Sequence, residues 1–274
     1  PDAARDTFIE LTAQDPESWL AHFRLANTER VRGDVVAARV SAENALSLKP
    51  DYAPAVAIVT SADIAVGRYD EAAKRVAWLK EKFPASPAGY ELAGDLASRR
   101  GDVGGAVAAY DQALKRSQPP AGRFLIKKSE ARARLGEGRQ AVDEMTAWLE
   151  SHPGNPGVRV AAGVLMQQLG DTKGAIRAYE TALASGTEDT VLLNNLAWLY
   201  FENNDPRARD TARQAHERAP ENPSVLDTYG WILVQQGNVG AGLPLLEEAA
   251  RLAPDVDAIR DHVEQARSLG KPGP

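Results

Sequence analysis

The chain has 274 residues, of which 43% are hydrophobic, and a net charge of -6 from 32 Lys and Arg against 38 Asp and Glu. That balance, without a dense basic run, argues against a nucleic-acid surface. The lack of cysteine excludes a disulfide framework, a thiol nucleophile and a cysteine zinc site, and no apolar run approaches the roughly 18 residues of a membrane-spanning helix.

Closing residues Pro16, Pro50, Pro84, Gln118, Pro153, Thr187, Pro220 and Pro254 follow one another in steps of 34, 34, 34, 35, 34, 33 and 34. A phase kept over the whole length predicts one repeat array over 1–274. It comprises a half repeat at 1–16, repeats at 19–50, 53–84, 87–118, 122–153, 156–187, 189–220 and 223–254, and a capping helix at 257–269. Each repeat reads as helix, tight turn, helix and stop. A start at Pro1 in place of Met, inside such an array, leads to the expectation of a longer parent chain.

In the half repeat, Ala4, Phe8 and Leu11 have the spacing of a second helix. Repeat 19–50 carries Leu25 and Ala26, then Gly33 and Asp34 in its turn, then Ala38, Ala42 and Ala45. In 53–84, Thr60 and Asp63 stand where small and bulky residues otherwise recur, while Gly67, Ala72, Val76 and Leu79 keep the phase. Repeat 87–118 is regular through Tyr90, Gly94, Gly101, Ala106 and Tyr110. Pro119 and Pro120, without amide donors, force a break, and the one-residue insertion near Pro119 to Gly122 is the expected point of bending or loosening.

Repeat 122–153 has the weakest first helix, with Lys128 and Ser129 at positions normally apolar and small, although Ala141, Met145 and Trp148 pack its second. Repeat 156–187 restores the pattern through Ala162, Gly163, Ala175 and Tyr179. In 189–220 the run Asn203, Asn204, Asp205 and Pro206 replaces a glycine turn and is one residue shorter. Asparagine tolerates the left-handed conformation, and Pro206 suits the first turn of a helix. In 223–254, Gly230, Gly242 and Ala249 mark a close helix approach, with Leu226, Tyr229 and Leu246 filling the space between. Pro244 predicts a late start or a loose first turn for the second helix there. The final helix sets Ile259, Val263 and Ala266 on one face and charged residues elsewhere, as an end cap requires. Gly270 to Pro274 reads as a frayed terminator.

Catalytic motifs are missing. There is no phosphate-binding loop, dinucleotide fingerprint, nucleophile elbow or paired His at metal-ligand spacing. His22, His152, His216 and His262 fall in different repeats, and His152, before Pro153, reads as a helix-end cap. No carboxylate pair suggests a general acid and base. No enzyme activity, metal or cofactor is expected.

A 34-residue helical hairpin with these preferences resembles the tetratricopeptide repeat. The resemblance implies an all-α, right-handed superhelical solenoid whose first helices line a concave groove, with their second, fifth, ninth, twelfth and thirteenth positions facing into it. On that orientation the N-terminal groove offers Leu20, Phe23, Asn27, Val31, Ala57 and Ile64. The middle offers Glu91, Asp95, Arg99, Arg123, Glu130 and Arg134, and the C-terminal part offers Asn194, Trp198, Phe201, Asp227, Trp231 and Gln235. Trp198 and Trp231, one repeat apart, would stand side by side as aromatic platforms for an extended peptide or for sugar rings. The alternative is that they pack between neighbouring first helices and stiffen the array. The Lys and Asn clamp with which some arrays grip a terminal carboxylate is disfavoured, because Asn27 matches it but Phe23 and Ile58 replace the other residues.

The run from Val191 through Trp198 to Tyr200, with Ala219 to Gly237, is similar to the C-terminal repeats of bacterial tetratricopeptide lipoproteins that accompany exosortase and PEP-CTERM protein-sorting systems. This finer resemblance covers about residues 190–256. It implies a non-catalytic scaffold that binds a protein or peptide partner during assembly of a bacterial export, exopolysaccharide or surface-protein sorting system. It also implies a periplasmic location, membrane-anchored only through a segment outside this sequence; a cytoplasmic location is the alternative. Polysaccharide binding through the groove tryptophans, or service as the regulatory arm of an enzyme, are the other functions open at this point, and no nucleic-acid partner is expected.

Overall fold

The computed structural model describes residues 2–118, 121–187 and 189–270. Expectations about Pro119, Pro120 and residues 271–274 lie outside the described residues. Among those described there are sixteen α-helices and no strand, as an all-α reading requires. They are α1 (Asp2–Gln14), α2 (Trp19–Val31), α3 (Val35–Leu48), α4 (Ala53–Ala65), α5 (Tyr69–Lys82), α6 (Ala88–Arg99), α7 (Val103–Arg116) and α8 (Gly122–Arg134). The series continues with α9 (Gly138–Ser151), α10 (Pro156–Gln168), α11 (Thr172–Ala184), α12 (Thr190–Glu202), α13 (Ala208–Arg218), α14 (Pro223–Gln235), α15 (Val239–Leu252) and α16 (Asp257–Leu269). The chain divides within α9, between Ala141 and Val142, into two compact units.

One turn chemistry closes most hairpins. Gly33, Gly67, Gly101, Gly136, Gly170 and Gly237 each have φ between 78° and 83°, a left-handed conformation that costs glycine nothing. Asp34, Asp102 and Asp171 then cap the second helices, accepting from the backbone N–H of Ala37, Gly105 and Gly174 at 2.8–2.9 Å. In the shortened turn Asn204 takes the glycine's place at φ 54°, the lone non-glycine with positive φ among the described residues. Pro206 precedes α13 and does not lie in its first turn, so that helix is shorter than its counterparts. Pro244 also departs from expectation. Helix α15 runs unbroken from Val239 with Pro244 inside it. Both Pro244 and Gly240, whose carbonyl loses a donor, are exposed, so the missing bond falls on the solvent side.

The first unit buries Ala26, Ala42, Val59, Ala72, Ala106 and Tyr110 between its hairpins. The two degenerate first helices are held by ion pairs. Asp63 of α4 is fully buried and accepts from Arg39 Nε of α3 at 2.8 Å and from Arg75 Nη1 of α5 at 2.5 Å. Lys128 of α8 is 4% exposed and lies 2.7 Å from Asp111 of α7. A buried charge is tolerated when its partner is fixed by the neighbouring helix.

In the second unit Tyr179, Leu192, Leu193, Leu196 and Ile232 form the main core. Gly230 and Gly242 face each other across α14 and α15. A Cβ on Gly242 would meet the Gly230 carbonyl oxygen at 2.5 Å, so only glycine allows this approach. His152 Nδ1 lies 3.0 Å from the Trp148 carbonyl, and its ring stacks on Trp148 with centroids 3.9 Å apart, as a helix-end cap should.

Candidate functional site

The first helices of the first unit, α2, α4, α6 and α8, converge on a cavity of about 410 Å³. Phe23, Asn27 and Arg30 come from α2, Ala57, Ile58 and Ser61 from α4, Glu91, Leu92 and Asp95 from α6, and Lys127 from α8. The helical period puts residues four apart on the same face, which brings Phe23 and Asn27, Ala57 and Ser61, and Glu91 and Asp95 onto one wall. Phe23, Asn27 and Ala57, expected in the N-terminal part of the groove, thus meet Glu91 and Asp95, expected in the middle.

A polar network lies beside the apolar patch. Lys127 Nζ donates to Asp95 Oδ1 at 2.8 Å and to Glu91 Oε1 at 3.0 Å. Arg123 donates to Glu91 Oε2 at 3.3 Å, and the Tyr110 hydroxyl donates to Asp95 Oδ1 at 2.8 Å. Burial works to lower the Lys127 pKa, but the hydrogen bonds and charges of Asp95 and Glu91 outweigh it and raise it. Tyr110 is raised by burial first and by Asp95 second. Glu91 and Asp95 therefore already have hydrogen-bond partners inside the protein. Partial loss of water around the Glu130 carboxyl raises its pKa against the opposing pull of Lys127.

The guanidinium groups are placed differently. Arg30 donates to Asn27 Oδ1 at 2.8 Å, and Arg134 to Ser98 Oγ at 2.8 Å. Arg99 is exposed. Among the described residues none of the three has a carboxylate partner. Of the other expected groove residues, Leu20 and Val31 are exposed, at 39% and 66%, but Ile64 is 5% exposed and belongs to the core between α4, α5 and α6. Its position near the end of α4 turns it toward the next hairpin, so it is not a groove residue.

In the C-terminal set Trp198, Phe201 and Trp231 come together, and Trp231 is covered. Trp231 is only 8% exposed and shares a cluster with Trp198, Phe201, Leu246 and Val263. The ring of His262 from α16 stacks on it, centroids 4.2 Å apart and 12° from parallel, while His262 Nδ1 lies 2.8 Å from Asp227 Oδ1. Of the two readings, open platforms or packing between helices, Trp231 fits the second: the cap helix takes its face and the carboxylate of Asp227. Trp198 is half-buried, 5.7 Å from Phe201 by ring centroids. Asn194 Oδ1 is buried without a hydrogen-bond partner among the described residues, and Gln235 is exposed.

Sequence reasoning missed Lys127, Arg30 and His262. Lys127 lies one place past an inward-facing position and reaches back with a long side chain. His262 lies 35 residues from Asp227, close to one repeat, which is the signal that could have paired them. No group of three or more His, Cys, Asp or Glu able to hold a metal exists among the described residues, and no described helix is long and apolar enough to cross a membrane.

A tetratricopeptide repeat family model matches residues 1–53, 61–119 and 91–156. A TPR repeat-containing protein of Pseudomonas aeruginosa is 22% identical over 163 residues, covering 59% of this chain and 28% of that protein, so the chain spans under a third of that relative. Among solved structures, yeast Tom70 aligns with a TM-score of 0.76 at 15% identity, over 98% of this chain and 58% of that one. A tetratricopeptide repeat protein from Parabacteroides merdae aligns with a TM-score of 0.61 at 16% identity, over 91% of this chain and 99% of that one. At such identities the likeness is one of fold. The family match extends over more than half of the chain, in phase with helical hairpins closed by left-handed glycines, and on that ground the chain belongs to the tetratricopeptide repeat family.

Proposed function

We propose that this chain is a non-catalytic interaction scaffold whose working surface is the groove of the first unit. The observation that carries this reading is the convergence of α2, α4, α6 and α8 on one cavity with an apolar patch beside fixed polar groups, the usual composition of a recognition site. Proteins of this family bind protein or peptide partners, and an extended segment is the shape that crosses successive first helices. The resemblance of residues 190–256 to exosortase-associated lipoproteins supports a role beside a bacterial export or surface-assembly system, in the periplasm and anchored through a segment outside this sequence. Direct binding of polysaccharide has less support, because His262 already covers the ring of Trp231.

The test is capture of partners on the immobilised protein and on its Ser61→Trp variant. Ser61 is exposed on the cavity wall, so an indole there fills the groove without entering the core. Partners lost selectively on the variant support the reading. Identical captures overturn it.

A further inference from the structure

We propose that the partner segment held by the first-unit groove is acidic, an extended peptide with an apolar side chain flanked by carboxylates; the inference rests on the groove reading above. The carboxylates of the groove wall already have partners, and one of its cations has no carboxylate among the described residues. Its two central carboxylates, Glu91 and Asp95, are each within hydrogen-bond distance of Lys127, with Arg123 and the Tyr110 hydroxyl completing their shells. A basic peptide would have to displace those bonds. Arg30, in contrast, opens onto the same cavity with only an amide oxygen for a partner. Arg134 bonds a hydroxyl and Arg99 is exposed.

Arg30, Arg99 and Arg134 fall in the last turns of α2, α6 and α8, and of the three Arg30 lines the cavity. Their charges suit the helix dipoles, yet a dipole consumes none of the five N–H donors of a guanidinium, which match a carboxylate in a bidentate fork. The apolar half of the cavity, Phe23, Ala57, Ile58 and Leu92, takes the side chain between the acids. Charge complementarity is local here: Arg30 opens onto the cavity without a carboxylate partner among the described residues, and it suits an acidic segment.

The test is selection from a display library of random peptides, panned in parallel on the protein, on Ser61→Trp and on Arg30→Glu. All three share a folded core, since Ser61 and Arg30 are exposed, and circular dichroism checks this. The proposal expects peptides that depend on an open groove to be acidic around one apolar residue. It also expects them to weaken about tenfold on Arg30→Glu, a loss of roughly one unit of log Kd, and to weaken further as salt rises. Groove-dependent peptides that are neutral or basic, or that bind Arg30→Glu unchanged, overturn the acidic partner but leave the groove standing. Peptides that bind Ser61→Trp as well as the parent, or no enrichment at all, overturn both.

Discussion

The imidazole of His262 stacks on the indole of Trp231 while its Nδ1 meets Asp227, so one residue of α16 engages two residues of α14. That helix otherwise holds on by Ile259, Val263 and Ala266. Truncation at His262 removes the stack, worth about 0.5–1.5 kcal/mol for an aromatic pair, and leaves Asp227 without its partner. His262→Ala is expected to raise amide hydrogen exchange in α16 and at the Trp231 end of α14, with exchange in the first unit unchanged. Unchanged protection of α16 would show that the apolar stripe alone seats the helix.

Gly94 lies under the ring of Tyr110, where a Cβ would come within 2.4 Å of Tyr110 Cε1. Gly94→Ala is expected to destabilise the first unit by about 1–3 kcal/mol, the cost of overpacking. Gly104 lies in the next helix with nothing within 4 Å of an added Cβ. Gly104→Ala is therefore expected to stabilise by about 0.5–1 kcal/mol through helix propensity. Urea denaturation of the two variants should move in opposite directions.

Burial alone would raise the Asp111 carboxyl, yet hydrogen bonds from Lys115 and Lys128 hold it below its ordinary value. A folded pKa below the unfolded one gives stability that is present above about pH 3.9 and is lost as pH falls through the folded value. Asp111→Asn removes the charge but keeps the shape. The stability gap between parent and variant should be widest near neutral pH and should close in acid below the ordinary carboxylate range. A gap that is constant with pH would contradict the ion-pair role.

Asn204 holds a left-handed conformation at φ 54°, which costs a residue with a Cβ roughly 1 kcal/mol. Asn204→Gly is expected to be neutral or stabilising by up to about 1 kcal/mol, and Asn204→Val destabilising by more than that, since a β-branched residue tolerates this region least. Thermal melts of both variants check the sign.

Much of the fold was legible because the repeat phase fixes where helices end. A residue with positive φ is needed at each tight turn, and Gly33, Gly67, Gly101, Gly170 and Gly237 announce it in the sequence. Pro244 was misjudged because its cost depends on which face of α15 it occupies, and it occupies the exposed one. Phe23, Asn27, Glu91 and Asp95, placed at inner positions by the resemblance to the repeat, do line one cavity. The groove was not legible at Lys127, whose reach across to α6 depends on side-chain length and on the approach of two helices. Trp198 and Trp231 showed that they would be neighbours, but not that α16 would bring an imidazole over one of them. That depends on how the last helix docks, which periodicity does not specify.

A partner held in the groove of the first unit must lie within reach of Ser61. Since the chain has no cysteine, Ser61→Cys and Glu71→Cys each provide a unique thiol for a photo-activatable crosslinker, the first on the cavity wall and the second exposed on α5. Crosslinking with the selected peptides, read by mass spectrometry, should give adducts from position 61 and few from position 71. Adducts from position 71 alone, or equal yields from both, would contradict the account.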